Sequence, residues 1–148
     1  MSRKLSHVSI ALRDIEKGLS LFNRILGLKP ASKGILELPQ NGVISLMLPI
    51  GESSIELLQP IVPSSDPRGN LARFIEKKGE GLYHIAIEVD DIEQELSILT
   101  SKGVTLIDKQ ARNDLVEATG SLTAFLHPKS TGGILIELVQ KVGGKGVA

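Results

Sequence analysis

Apolar and polar residues alternate near the start of the chain, with Val8, Ile10 and Leu12 on one parity and His7, Ser9 and Ala11 on the other. This two-residue period predicts a half-buried strand, and it returns at Ile85, Ile87 and Val89. After each strand the period lengthens to three or four, through Ile15, Leu19, Phe22 and Leu26 and then through Ile92, Leu96 and Leu99. That spacing predicts an amphipathic helix. Asp14 and Asp91 stand where N-caps are favoured, and Gly27 and Gly103 where C-caps favour glycine. Short apolar runs divided by Gly, Pro and Ser follow, at 34–38, 43–49 and 53–59 and again at 104–107, 121–126 and 133–139. Each half therefore reads βαβββ. PIVPSSDPRG (60–69) is a connection, and NLARFIEKKG (70–79) predicts a short helix with Leu71, Phe74 and Ile75 on one side. Residues 108–120 are polar and without period, and a loop or frayed strand is expected there.

The two halves are copies. LSHVSIALRDIEKGLSLF (5–22) aligns with LYHIAIEVDDIEQELSIL (82–99) at an offset of 77 residues, matching His7 with His84 and Asp14 with Asp91. IELLQ (55–59) aligns with IELVQ (136–140) at an offset of 81, so four extra residues lie inside the second half. Two copies argue for a duplicated module, because a solenoid needs more repeats to bury its faces. The expectation is a single α+β domain over 1–148, with module one at about 5–60, a connector at 61–80 and module two at about 81–140.

Composition narrows the function classes. A chain of 148 residues removes roughly 68–70% of its unfolded surface from water, enough for a real core. Lys plus Arg number 17 and Asp plus Glu number 17, so no basic excess exists to hold nucleic acid. Without cysteine there is no thiolate nucleophile, disulfide or Cys-type zinc site, and any metal must rest on His, Asp, Glu or Gln. Four aromatic residues leave few stacking platforms. The polar start does not form a signal-peptide core, and no apolar stretch reaches membrane-spanning length. Cytoplasmic location without membrane partners is expected.

Duplication turns one His and one Glu into two of each: His7, His84, Glu56 and Glu137. Each glutamate sits between apolar neighbours in a strand, so each carboxylate points to the face opposite them. Two carboxylates about 4 Å apart at an effective dielectric of about 20 repel by about 4 kcal/mol. A shared proton or a divalent cation offsets that repulsion. The cation is the preferred reading, because the histidines repeat too and two carboxylates balance its charge. His127 has no counterpart, and a structural or rim role is expected. Lys129 opens a KSTGG run that reads either as a turn or as backbone N–H groups presented to an anion.

LSHVSIALRDIE (5–16), IELLQP (55–60), GEGLYHIAIEVDDIE (79–93) and FLHPKSTGGILIEL (125–138) together resemble the vicinal oxygen chelate superfamily (glyoxalase, bleomycin resistance and dioxygenase proteins), and within it the methylmalonyl-CoA epimerases. The resemblance implies paired βαβββ modules forming a cupped, incompletely closed eight-stranded barrel and a divalent metal ion such as Co, Ni, Zn or Mn. It also implies an acyl-CoA substrate and a homodimer. His7, His84 and Glu137 match the family's metal ligands, and Glu56 the fourth ligand position, which holds Gln in some members and Glu in others. The implied chemistry is removal of the C2 proton of methylmalonyl-CoA and its return on the other face. Glu137 is then ligand and proton carrier, and Glu56 ligand and possible partner. Ser45 stands where the best-studied members carry a second acid/base glutamate and becomes a substrate-side candidate, as does Lys129, placed to meet a carboxylate or the CoA phosphates. Tyr83 replaces a second adjacent histidine common in relatives. The rival readings are glyoxalase I, an extradiol dioxygenase and a metal-free binding module.

Overall fold

The structure, a computed structural model, describes residues 2–32, 34–61 and 70–143. It divides into two compact units, one of residues 7–83 and the other of residues 1–6 with 84–148. Strands β1 (Arg3–Ala11), β2 (Ile35–Leu38), β3 (Val43–Ile50) and β4 (Ser53–Pro60) and helices α1 (Ile15–Leu26) and α2 (Asn70–Lys78) precede β5 (Gly81–Val89). After β5 come α3 (Ile92–Ser101), the short α4 (Val116–Thr119), β6 (Ser121–Leu126) and β7 (Ile136–Lys141). In the first half β4 lies between β3, antiparallel, and β1, parallel. In the second, β7 lies between β6, antiparallel, and β5, parallel. The two halves thus repeat the same local topology.

Helix ends follow the sequence signals. Asp14 accepts from the backbone N–H groups of Glu16 and Lys17, and Asp91 from that of Gln94. Gly27 closes α1 in the left-handed conformation at φ 67°. Each helix also has a second cap from the neighbouring strand: Gln59 Oε1 accepts the Ile15 N–H at 2.9 Å, and Gln140 Oε1 accepts the Ile92 N–H at 2.9 Å. Strand parity explains both, since Gln59 shares the helix-facing side of β4 with Leu57, and Gln140 that of β7 with Leu138.

The core follows the same parity. Ile15, Leu46, Leu48 and Leu57 pack under α1 with Ile10 and Leu12 beside them, and Val89, Ile92, Leu96, Ala124, Leu126 and Leu138 pack under α3. At Gly18 a Cβ would meet a terminal methyl of Leu12, so a larger residue there requires that side chain to move. The equivalent position of α3 is Glu95, buried, with its carboxylate on the Arg3 guanidinium. Leu71 and Ile75 of α2 cover Ala11 and Leu58 on the opposite face of the first half's sheet. The alternation along β1 therefore runs opposite to its apolar content. Ser9 and Ala11 are fully buried, whereas Val8 and Ile10 are only partly so, because this strand is covered on both sides.

The expected eight strands become seven among the described residues. Residues 104–107 lie along β6 but make only an isolated bridge, Leu106 to Leu126. A regular ladder is prevented because the N–H groups of Ile107 and Asp108 share the Phe125 carbonyl, and the Asp108 carboxylate takes the Phe125 N–H at 2.8 Å. Ser130 Oγ takes the Thr105 N–H. The 108–120 stretch, expected as loop or frayed strand, contains one bridge, Arg112 to Thr123, and the α4 turn closed by Gly120. Most of the 60–69 connection lies outside the described residues, and α2 forms as expected.

Candidate metal and acid–base site

Parity sorts the polar residues. On β1 the side opposite α1 carries His7, Ser9 and Ala11, and β4 and β3 add Glu56 and Ser45 to that side, in register with Ser9↔Glu56 and Met47↔Glu56. All four polar residues are buried. Glu56 is held at both oxygens: Ser9 Oγ donates to Oε1, and Ser45 Oγ donates to Oε2 at 2.8 Å. His7 Nε2 lies 3.5 Å from Glu56 Oε1.

The second half repeats the pair by the same rule. Ala86↔Glu137 is the register across β5 and β7, and His84, two residues before Ala86, lies on the same side. His84 Nε2 lies 3.6 Å from Glu137 Oε1, and the Phe125 ring stands edge-on to the imidazole at 5.3 Å between centroids. Where the first half has Ser9, the second has Ala86, fully buried. Where the first has Ser45, opposite Leu58, the second has Thr123, opposite Val139.

The His–Glu separations, 3.5 and 3.6 Å, exceed the usual N–H···O distance of about 2.9 Å. They match the edge of a coordination polyhedron: two donors, each about 2.1 Å from a tetrahedral ion, lie about 3.4 Å apart. Imidazole nitrogen and carboxylate oxygen are the donors that borderline divalent ions accept. Buried, with carboxylates to balance the charge, this donor set fits a divalent cation.

The remaining candidates fall elsewhere. Ser45 is buried with its hydroxyl on Glu56, a support of that carboxylate. Lys129 is exposed on a 3-10 turn (Pro128–Ser130). The N–H groups of Ser130, Thr131 and Gly133 bond to the carbonyls of His127 and Pro128, so the KSTGG run spends these donors within its own turn, the turn reading of that segment. His127 caps the turn, its Nδ1 accepting the Lys129 N–H at 3.1 Å, which is the structural role expected of it. Tyr83 packs edge-on against Phe74 at 4.9 Å. Two groups escaped the sequence reading: Ser9, whose signal was its place two residues after His7 on the same parity, and the helix-capping pair Gln59 and Gln140, whose signal was the repeated glutamine closing each IEL segment. Among the described residues no helix is long and apolar enough to cross a membrane.

Comparison with known proteins agrees with this architecture. Residues 6–125 match the family described as Glyoxalase/Bleomycin resistance protein/Dioxygenase superfamily. The mitochondrial methylmalonyl-CoA epimerase of Homo sapiens is 35% identical over 138 residues, covering 93% of this chain and 73% of the relative. Among solved structures, a hypothetical protein of Bacillus halodurans C-125 superposes with a TM-score of 0.84 at 40% identity, covering 95% of this chain and 96% of the other. A variant of Streptomyces coelicolor methylmalonyl-CoA epimerase in complex with 2-nitronate-propionyl-CoA superposes at 0.83 with 27% identity, covering 95% of each.

Proposed function

This chain belongs to the Glyoxalase/Bleomycin resistance protein/Dioxygenase superfamily, and from that membership we propose a divalent-metal-dependent epimerase that inverts C2 of methylmalonyl-CoA. That it is an enzyme of the epimerase kind follows from its relatives over most of the chain. The substrate, the metal and the residue roles are the proposal.

The observation that carries it is the pair of buried His–Glu edges, 3.5 and 3.6 Å, formed independently at equivalent strand positions. Both pairs are assigned to one cation, with His7, His84, Glu137 and Glu56 as its ligands, the residues that the duplication pairs. Bound there, a divalent ion supplies Lewis-acid stabilisation of the negative charge that grows on the thioester oxygen as C2 loses its proton, worth several kcal/mol. Glu137 removes the C2 proton through its carboxylate oxygen, and a water on the opposite face returns one, so that C2 inverts. His84, 3.6 Å from that carboxylate, is assigned beside it as a ligand of the same ion, with the Phe125 ring edge-on to the imidazole. Glu56 closes the set from the other half, with Ser45 committed to its support. Lys129, exposed beside this strand end, is assigned to the carboxylate or phosphates of the acyl-CoA. A homodimer in the cytoplasm completes the reading.

Incubation with methylmalonyl-CoA in deuterated water tests it. Deuterium entering C2, with conversion of one epimer to the other, is the expected result. Absence of label and of epimer conversion, together with S-lactoylglutathione formed from methylglyoxal and glutathione, would replace it with the glyoxalase I reading.

A further inference from the structure

The Glu56 carboxylate is held by two serines of its own half. Ser9, on β1, is fully buried and donates to one oxygen of Glu56. Ser45, on β3, is 3% exposed and donates to the other oxygen at 2.8 Å. One hydroxyl from each flanking strand therefore fixes the rotation of the carboxylate on β4 about its last side-chain bond. A terminal sp³–sp² torsion has no narrow well of its own, so its orientation must come from such partners. An ionised carboxylate offers about four lone-pair sites, and two hydroxyl donors leave the others available to a ligand. In the second half the Ser9 position is Ala86, whose methyl has no proton to donate to Glu137.

We propose that Ser9 and Ser45 are positioning residues that clamp Glu56 as a fixed metal ligand. The inference rests on the metal-dependent reading given above. Supports of this kind typically change metal affinity by about 10–100-fold when removed.

The test is binding of Co²⁺ alone, followed by calorimetry and by the visible absorption of the bound ion, in the full chain and in Ser9→Ala, Ser45→Ala, Ser45→Thr and Glu56→Ala. Alanine is what the second half carries at the Ser9 position and threonine what it carries at the Ser45 position, so both side chains suit these registers. Ser9→Ala and Ser45→Ala are expected to weaken Co²⁺ binding by about 10–100-fold with an altered absorption band. Ser45→Thr, which keeps the hydroxyl, is expected to restore both, and it reads the clamp even if Ser45→Ala fails to fold. If the unaltered chain binds no Co²⁺, the metal reading itself fails. If the unaltered chain binds and Glu56→Ala does not, while both serine-to-alanine variants bind as tightly as the parent, the clamp is overturned and the metal reading stands.

Discussion

The two halves place a histidine and a glutamate at equivalent positions and then surround the glutamates with different chemistry. Around Glu56 the neighbours are hydroxyls, Ser9 and Ser45. On the Glu137 side Ala86 stands for Ser9, Thr123 stands for Ser45, and the Phe125 ring lies against His84. Hydroxyl donors fix the orientation of a carboxylate. Duplicated sequence thus gives twin acids unlike neighbours where a flanking residue differs, Ser9 against Ala86.

The most direct way to break this comparison is to neutralise each acid in turn. Glu137→Gln is expected to lower kcat by about 10²–10⁴-fold, the usual worth of a positioned acid–base group. Glu56→Gln should stay within about tenfold (about 1.4 kcal/mol), because the serine hydroxyls can turn to accept from the new amide as readily as they donate to the acid. Equal losses, read by epimer interconversion, would refute the assignment of proton removal to Glu137 rather than Glu56. Next in size is removal of the cation. Chelation is expected to lower Tm and added Co²⁺ to restore it; at 100 times Kd the linkage is about 2.7 kcal/mol, or about 5–10 °C for a chain of this length. Unchanged melting in a scanning calorimeter would favour a metal-free binding module. Smaller again is Ala86→Ser, which gives the second half the hydroxyl that the first carries at Ser9. A fall in kcat of about tenfold, equivalent to about 1.4 kcal/mol, is expected with Co²⁺ affinity retained; undiminished turnover would show that a hydroxyl at this position does not bear on Glu137. The smallest effect concerns what the halves share. Gln59→Leu and Gln140→Leu should each cost about 0.5–2 kcal/mol in denaturant unfolding, by equal amounts, as loss of a helix cap. A large inequality would mean that one helix does not depend on its strand-borne cap.

Much of this was legible in the chain. The repeat, the Asp caps and the period-two strands located β1, α1, β4, β5, α3 and β7, and the IELLQ and IELVQ segments put both glutamates on the side away from their apolar neighbours. What escaped depended on partners distant in sequence. Residues 104–107 have strand-like composition, yet the Asp108 carboxylate and the Ser130 hydroxyl take the amide hydrogens that a ladder would use. Ser9 looked like the wet side of a half-buried strand, and it is fully buried because α2 and the neighbouring strands cover that side. The Ser45 hydroxyl donates to Glu56, a contact set by the β3–β4 register rather than by composition.

On β4 and on β7 alike, the acid and the amide that holds a helix end are three residues apart, on opposite sides of the same strand. A slip of one position would swing the carboxylate toward the helix and carry the glutamine off its anchorage in the same stroke. Reactive placement and mechanical anchorage thus share one index mark. Neither can wander while the other keeps station.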